Sequence, residues 1–285
     1  MTNTKSPMHS PSKAGFWRFS PALRKGRGFF AALGMSVSFE SPDRGAKCYS
    51  SPGSPTCGIM EAGVLSNLHG RSGGGALSLR AVVFDYGMVL TGQPDAAAHD
   101  AMVRLTGLSV ERFELLYWAD RRAYDEGKLN GVTFWQKFAR DSDLNLSAAQ
   151  IDDLNTLDAR MWTTQDPTMV GWQQKLKAHG LRTAILSNMG DSVLASIERA
   201  YQWLHNFDVL VWSFQLGMAK PDPAIYRHVL QQLQTAPQET LFIDDKRVNI
   251  DAACALGMKA IEFTTVDRLR DSLRSAGLES ELPLP

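Results

Sequence analysis

The 285-residue chain is poor in cysteine: Cys48, Cys57 and Cys254 are all it has, and none is spaced as a thiolate metal site or a disulfide framework. A disulfide-stapled or zinc-ribbon scaffold is excluded on that ground, and a reducing compartment, the cytoplasm, is the expected setting. Long apolar runs are missing too. The longest, Phe29 to Phe39, is broken by Gly34, Ser36 and Ser38, well short of the roughly 18 to 20 residues a membrane helix needs, so no membrane role is expected. Arg24, Lys25 and Arg27 precede that stretch in the manner of a signal peptide, but it starts too far into the chain and no small-residue cleavage site follows. Net charge is absent as well, with 30 Lys and Arg against 30 Asp and Glu.

That balance hides an asymmetry. Residues 1–80 hold ten Lys and Arg against three acids (Glu40, Asp43, Glu61), which leaves twenty against twenty-seven in the remainder. Up to about Ser78 the sequence is rich in Ser, Pro, Gly and basic residues, lacks sustained periodicity and ends in Ser72-Gly73-Gly74-Gly75. Residues 1–78 therefore read as a disordered basic extension without a structural role. Its acid-free first 39 residues resemble a transit peptide in composition, so a targeting arm or nucleic-acid-binding tail is the alternative. With no basic face and no interleaved aromatics, nucleic acid is not an expected partner.

After the glycines the texture changes. Leu79 to Asp85 is a short branched run of the kind buried on both faces of a sheet, and similar runs recur at Arg182 to Ser187, Val209 to Phe214, Thr240 to Ile243 and Lys259 to Phe263. Helical patterns fill Asp191 to Leu204, Pro223 to Leu233 and Asn249 to Leu256. This alternation predicts an α/β fold, a Rossmann-like parallel sheet with helices on both faces, whose ligands sit at the carboxyl ends of the strands. Residues 79–90 and 181–285 make up that core. The stretch 91–180 is too long for a simple crossover and is itself helical in pattern, with Phe113, Leu116, Tyr117, Phe134, Trp135 and Phe138 on apolar helix faces. It reads as an inserted all-helical cap subdomain whose aromatics mainly pack one another.

Four polar clusters each stand where a strand pattern ends: Asp85-Tyr86-Gly87, Ser187-Asn188, Lys220 in Ala219-Lys220-Pro221-Asp222-Pro223, and Asp244-Asp245. A single strand-end Asp is more often a cap or turn former, and Asp-Asp pairs are common on surfaces. Carboxylates converging on one cleft repel each other unless a cation holds them, and oxygen ligands select a hard ion such as Mg²⁺. A carboxylate beside that ion and a lysine is suited to nucleophilic attack on a phosphoryl group whose charge the metal and Lys220 offset. The hydroxyl of Ser187 and the amide of Asn188 would donate to phosphate oxygens.

The order Phe84-Asp85-x-x-x-Val89-Leu90, Leu186-Ser187-Asn188, Lys220-Pro221-Asp222-Pro223-Ala224-Ile225-Tyr226 and Phe242-Ile243-Asp244-Asp245, with Asn249 and Ala255-Leu256-Gly257-Met258 following, resembles the haloacid dehalogenase superfamily over about Leu79 to Thr265. The insert looks like that family's first cap type. Asp-Tyr-Gly-x-Val is similar to the branch holding sugar-phosphate phosphatases and the phosphatase domain of soluble epoxide hydrolases. The resemblance implies a Mg²⁺-dependent phosphatase acting on a small phosphorylated metabolite, as monomer or homodimer. Asp85 would be the nucleophile and a metal ligand, Ser187, Asn188 and Lys220 would bind the phosphoryl group, and Asp245 would bind metal directly. Asp244 would bind it directly or through water, and the backbone carbonyl of Gly87 would complete the set. Lys246, Arg247 and Asn249 read as caps of the following turn and helix.

One position departs from the pattern. Most phosphatases that the chain resembles carry a second aspartate two residues after the nucleophile, for proton transfer to the leaving oxygen, and here that residue is Gly87. Three outcomes stay open: a substrate with a good leaving group, a proton from another residue or water, or slow turnover. The departure also admits a 2-haloacid dehalogenase, which needs neither acid nor metal, and a non-catalytic phosphate-ligand binding protein. The Asp244-Asp245 pair argues for phosphate chemistry.

Overall fold

A computed structural model describes residues 78–285; the expected extension 1–78 lies, save for Ser78, outside the described residues. Five strands, β1 (Ala81–Phe84), β2 (Arg182–Ser187), β3 (Val209–Trp212), β4 (Thr240–Asp244) and β5 (Lys259–Glu262), form one parallel sheet in the order β3-β2-β1-β4-β5. The side chains obey the strand period of two. Val82, Phe84, Ile185, Leu241, Ile243 and Ile261 face one apolar cluster, while Ala81, Val83, Ala184, Leu186, Phe242 and Ala260 face another. Burial on both faces is what makes the strands read as continuous apolar runs.

Helices α1 (Ala96–Thr106), α2 (Val110–Ala119), α3 (Arg121–Asp125), α4 (Gly131–Asp141) and α5 (Ala148–Met161) lie between β1 and β2. Their starts are written in the sequence: Asp95, Ser109, Asn130 and Ser147 each accept a hydrogen bond from a first-turn N–H, the last two within capping boxes. Phe113, Tyr117, Tyr124, Phe134, Trp135 and Phe138 make a cluster of their own, with Met102, Leu154 and neighbours. The next helix, α6 (Pro167–Ala178), does not join it: Met169, Trp172 and Leu176 pack with the sheet. The sequence reading places α6 within the insert at 91–180, whereas its contacts are those of a helix covering the sheet.

Beyond β2 come α7 (Asp191–Ala200), α8 (Ser213–Leu216), α9 (Pro223–Leu233), α10 (Arg247–Ala255) and α11 (Val266–Ser275). Two boundaries differ from expectation. The run Val209 to Phe214 stops being strand at Trp212, because the Ser213 hydroxyl accepts from Met189 N–H and donates to the Asp125 carbonyl, turning the chain toward the insert. The helix expected over Asp191 to Leu204 ends at Ala200, and a 3-10 segment, Gln202–Asn206, follows an extended Tyr201 whose hydroxyl is bound to the Thr163 carbonyl.

Candidate active site

β1 is the central strand, and the chain proceeds to one side of it through β2 and β3 and to the other through β4 and β5. Its carboxyl end is therefore the point where the winding reverses, which is where sheets of this kind bind ligands. Asp85 stands there, one residue past the strand, its N–H bonded to the Ile243 carbonyl at 2.8 Å. The chain then makes a single helical turn: Leu90 and Thr91 N–H groups both bond to the Tyr86 carbonyl, and Met88, at φ 63, takes its N–H to Thr91 Oγ1.

Lys220 joins two strand ends. Its buried Nζ lies 2.9 Å from Asp85 Oδ1 and donates to Asp244 Oδ2 at 2.7 Å. Asn188 fixes the backbone from which it reaches: Asn188 Nδ2 donates to the Lys220 carbonyl at 2.8 Å and Lys220 N–H donates to Asn188 Oδ1 at 2.8 Å. Asn188, read from sequence as a phosphate contact, thus uses its Oδ1 and one of its two Nδ2–H bonds to hold the lysine segment. Asp244 is fully buried, and three donors make four hydrogen bonds to it: Lys220 on Oδ2, Lys246 N–H on Oδ1 at 2.8 Å, and Asn249 Nδ2 on both oxygens at 2.9 and 3.0 Å. Asn249, read as a cap, instead orients this carboxylate from one turn into α10; Lys246, at the N-cap of α10, makes no side-chain cap there.

Oxygens of Asp85, Asp244 and Asp245 lie within 4.8 Å of one another. One ammonium among three carboxylates leaves the group short of positive charge, and the protonation equilibria reflect it. Burial, reinforced by Asp244 and Asp245 against the pull of Lys220, pushes Asp85 from 3.8 up to about 7. Asp244 is buried as well, but Lys220 and its hydrogen bonds hold its carboxyl below the usual range. Burial raises Asp245, with Lys246 opposing and Asp244 assisting. Burial also opposes the charge on Lys220, yet Asp244 and Asp85 outweigh it and keep the ammonium charged. The donor set, all oxygen and net negative, is one that a hard divalent cation fits. All four hydrogen bonds to Asp244 come from protein groups.

Ser187 is buried at the end of β2, the strand that pairs with β1. The insert closes over the same strand ends, through residues the sequence did not single out. The Tyr124 ring lies against Gly190, where a methyl would collide with it, and the Asp125 carbonyl takes the Ser213 hydroxyl. Gly127, at φ 70, packs its backbone on that of Phe214. Trp162, at the end of α5, covers Gly87. No local pattern marks these, because their partners are remote in sequence.

A family model described as haloacid dehalogenase-like hydrolase matches residues 79–257, more than half of the chain. The chain belongs to the haloacid dehalogenase-like hydrolases. Among curated relatives of this hydrolase, Acyl-CoA dehydrogenase family member 10 of Mus musculus is 31% identical over 224 residues, which is 74% of this chain but 20% of that protein. The chain thus spans only a fifth of that relative. Phosphatase MT3486 of Mycobacterium tuberculosis is 29% identical over 69% of this chain and 93% of its own length. (S)-2-haloacid dehalogenase 1 of a Pseudomonas species is 29% identical over 47% of the chain and 62% of that enzyme. Among solved structures, a HAD family enzyme from Bacteroides thetaiotaomicron, in complex with magnesium and inorganic phosphate, superposes with a TM-score of 0.56 at 19% identity, covering 66% of this chain and 95% of that one.

Proposed function

We propose that this hydrolase is a Mg²⁺-dependent phosphatase of a small phosphorylated metabolite, with Asp85 as nucleophile. The observation that carries the reading is the grouping of Asp85, Asp244 and Asp245 around a single Lys220. Dehalogenation has no use for an excess of carboxylates, which would repel an anionic haloacid, whereas a phosphate bound with a divalent cation answers that charge. The phosphatase among the relatives and the magnesium and phosphate bound by a structural neighbour support the same choice.

Asp85, Asp245 and the Gly87 carbonyl would hold the ion, with Asp244 acting directly or through water, and the ion would offset charge on the phosphoryl oxygens. Asp85 Oδ1 accepts both Lys220 Nζ and Tyr86 N–H, so Oδ2 is the attacking oxygen. A bond forms from Oδ2 to phosphorus, the bond to the leaving oxygen breaks, and its electron pair departs with it. Water then attacks phosphorus, the phosphorus bond to Oδ2 breaks, and inorganic phosphate and the Asp85 carboxylate result. Lys220 neutralises Asp85 and the transferring group throughout, Asn188 holds Lys220 in place, and Ser187 donates to the phosphate. Helices α1 to α5 serve as the cap that admits substrate and excludes water.

Phosphate release from aryl and sugar phosphates, measured with Mg²⁺ and with EDTA, tests this reading: metal-dependent release lost in Asp85→Asn supports it. Chloride release from chloroacetate indifferent to EDTA would make the chain a dehalogenase, and neither activity from folded protein would leave a phosphate-binding protein.

A further inference from the structure

Taking the site to be a phosphatase, its surroundings bear on which phosphates it cleaves. Gly87 offers no side chain, and the space above it belongs to Trp162: a methyl on Gly87 would lie 3.8 Å from Cζ3 and 3.9 Å from Cε3 of the indole. Those atoms are on the six-membered ring, on the edge away from the indole nitrogen. The nitrogen is turned inward and buried, facing the Tyr117 hydroxyl without a close hydrogen bond. What the nucleophile loop meets is therefore a C–H edge, unable to give or take a proton.

The backbone at Trp162 and the residues after it is bonded to the nucleophile loop. The Tyr86 hydroxyl donates to the Trp162 carbonyl at 3.2 Å. Gly92 N–H bonds to the Thr164 carbonyl at 2.8 Å, Asp166 N–H bonds to the Leu90 carbonyl at 2.9 Å, and Thr91 pairs antiparallel with Gln165. Residues 162–166 are zipped along 86–92, which ties the backbone that carries the indole to the nucleophile loop. The indole also packs into both the sheet cluster and the insert cluster, which limits its rotation.

Three other charged groups here are engaged. Lys220 is clasped by two carboxylates, and Asp244 takes four hydrogen bonds from three donors. Asp125, docked at the rim through its carbonyl, has its carboxylate on Arg121 Nε at 3.2 Å.

We propose that Trp162 sets the substrate class: the enzyme cleaves phosphate monoesters and anhydrides whose leaving oxygen departs as a stabilised anion, namely aryl, enol, acyl and anomeric phosphates, in preference to simple alkyl phosphates. When Asp85 Oδ2 bonds to phosphorus, the leaving oxygen takes the electron pair as an anion and acquires its proton from bulk water after departure. An alkoxide is too basic to leave in this way, and the positioned acid that would assist it, a contribution of about 10² to 10⁴-fold, has no counterpart beside Gly87.

The test is a series of kcat/KM values for the full chain with Mg²⁺ on p-nitrophenyl, phenyl, acetyl and n-butyl phosphate, together with glucose 1-phosphate and glucose 6-phosphate, which share a sugar and differ in the leaving oxygen. The expected result is a steep fall with leaving-group basicity, and glucose 1-phosphate ahead of glucose 6-phosphate by roughly 10²-fold. Gly87→Asp, for which a Cβ has ordinary van der Waals room, is expected to raise kcat on n-butyl phosphate relative to p-nitrophenyl phosphate by about 10-fold or more. Trp162→Phe should keep the steep dependence, and Trp162→His should flatten it. A flat wild-type series with good turnover overturns the inference while leaving the phosphatase reading intact, and so does a dependence that steepens in Asp125→Asn, which would make Asp125 the acid. The wild-type series decides even if a variant fails to fold. Absence of phosphate release from every compound, with folded protein, overturns the phosphatase reading and this inference with it.

Discussion

Replacing Asp85 with Asn should make the metal-free protein more stable above neutral pH while abolishing turnover. Asp85 is buried beside two other carboxylates, which pushes it from 3.8 up to about 7. Between those values the native state holds a proton that the unfolded chain has released, so stability falls as pH rises from about 4 and levels off above about 7. Three pH units at about 1.4 kcal/mol each amount to roughly 4 kcal/mol of destabilisation by the ionised carboxylate. Asn resembles the protonated acid in shape and charge and escapes that cost. The expected outcome is an Asn variant level with wild type near pH 4 and up to about 4 kcal/mol more stable at pH 8, worth roughly 10 °C in Tm for a domain of this size. Urea unfolding at several pH values in EDTA measures it. Adding Mg²⁺ should narrow the gap, since a ligand at 100 times its Kd stabilises the wild type by about 2.7 kcal/mol. A variant less stable than wild type at pH 8 in EDTA, or a gap that does not change with pH, would refute the electrostatic argument.

Other consequences follow from single contacts. Lys220→Met leaves Asp244 and Asp85 buried without their shared cation; about 3 to 5 kcal/mol of stability should be lost at pH 8, with part of it returning at pH 5, where Asp85 takes up a proton, as thermal unfolding at the two pH values would show. Asn188→Ala removes both clamps on the Lys220 backbone, and kcat should fall more than KM changes in steady-state assays. Gly190→Ala drives a methyl into the buried Tyr124 ring, at a cost of about 1 to 3 kcal/mol, and it should raise KM by displacing α3 from the strand ends. Each outcome separates a positioning contact from mere proximity.

Most of the sheet was legible in the sequence because burial on both faces leaves no polar residue to interrupt Val82-Val83-Phe84 or Ala184-Ile185-Leu186. The candidate site was legible for a related reason: polar residues that end such runs stand together at one rim of a parallel sheet. Two roles were not. Asn188 and Asn249 look like a ligand contact and a cap on local grounds, but Asn188 meets Lys220 across 32 residues of chain, and Asn249 turns back from the first turn of α10 onto Asp244. Trp162, Tyr124 and Ser213 were invisible because what matters about them is a contact across the insert. Helix α6 was assigned to the insert by its position between β1 and β2, although Met169, Trp172 and Leu176 give it a sheet-facing stripe.

The central claim is that Asp85 carries the phosphoryl group. Acid quench of the enzyme during turnover of acetyl phosphate with Mg²⁺, followed by mass spectrometry of the peptide containing Asp85, tests it directly. The expected result is a phosphoryl adduct on that aspartate, absent in EDTA and lost when turnover is allowed to finish before the quench. Phosphate release without any adduct, or an adduct on a different residue, would contradict it.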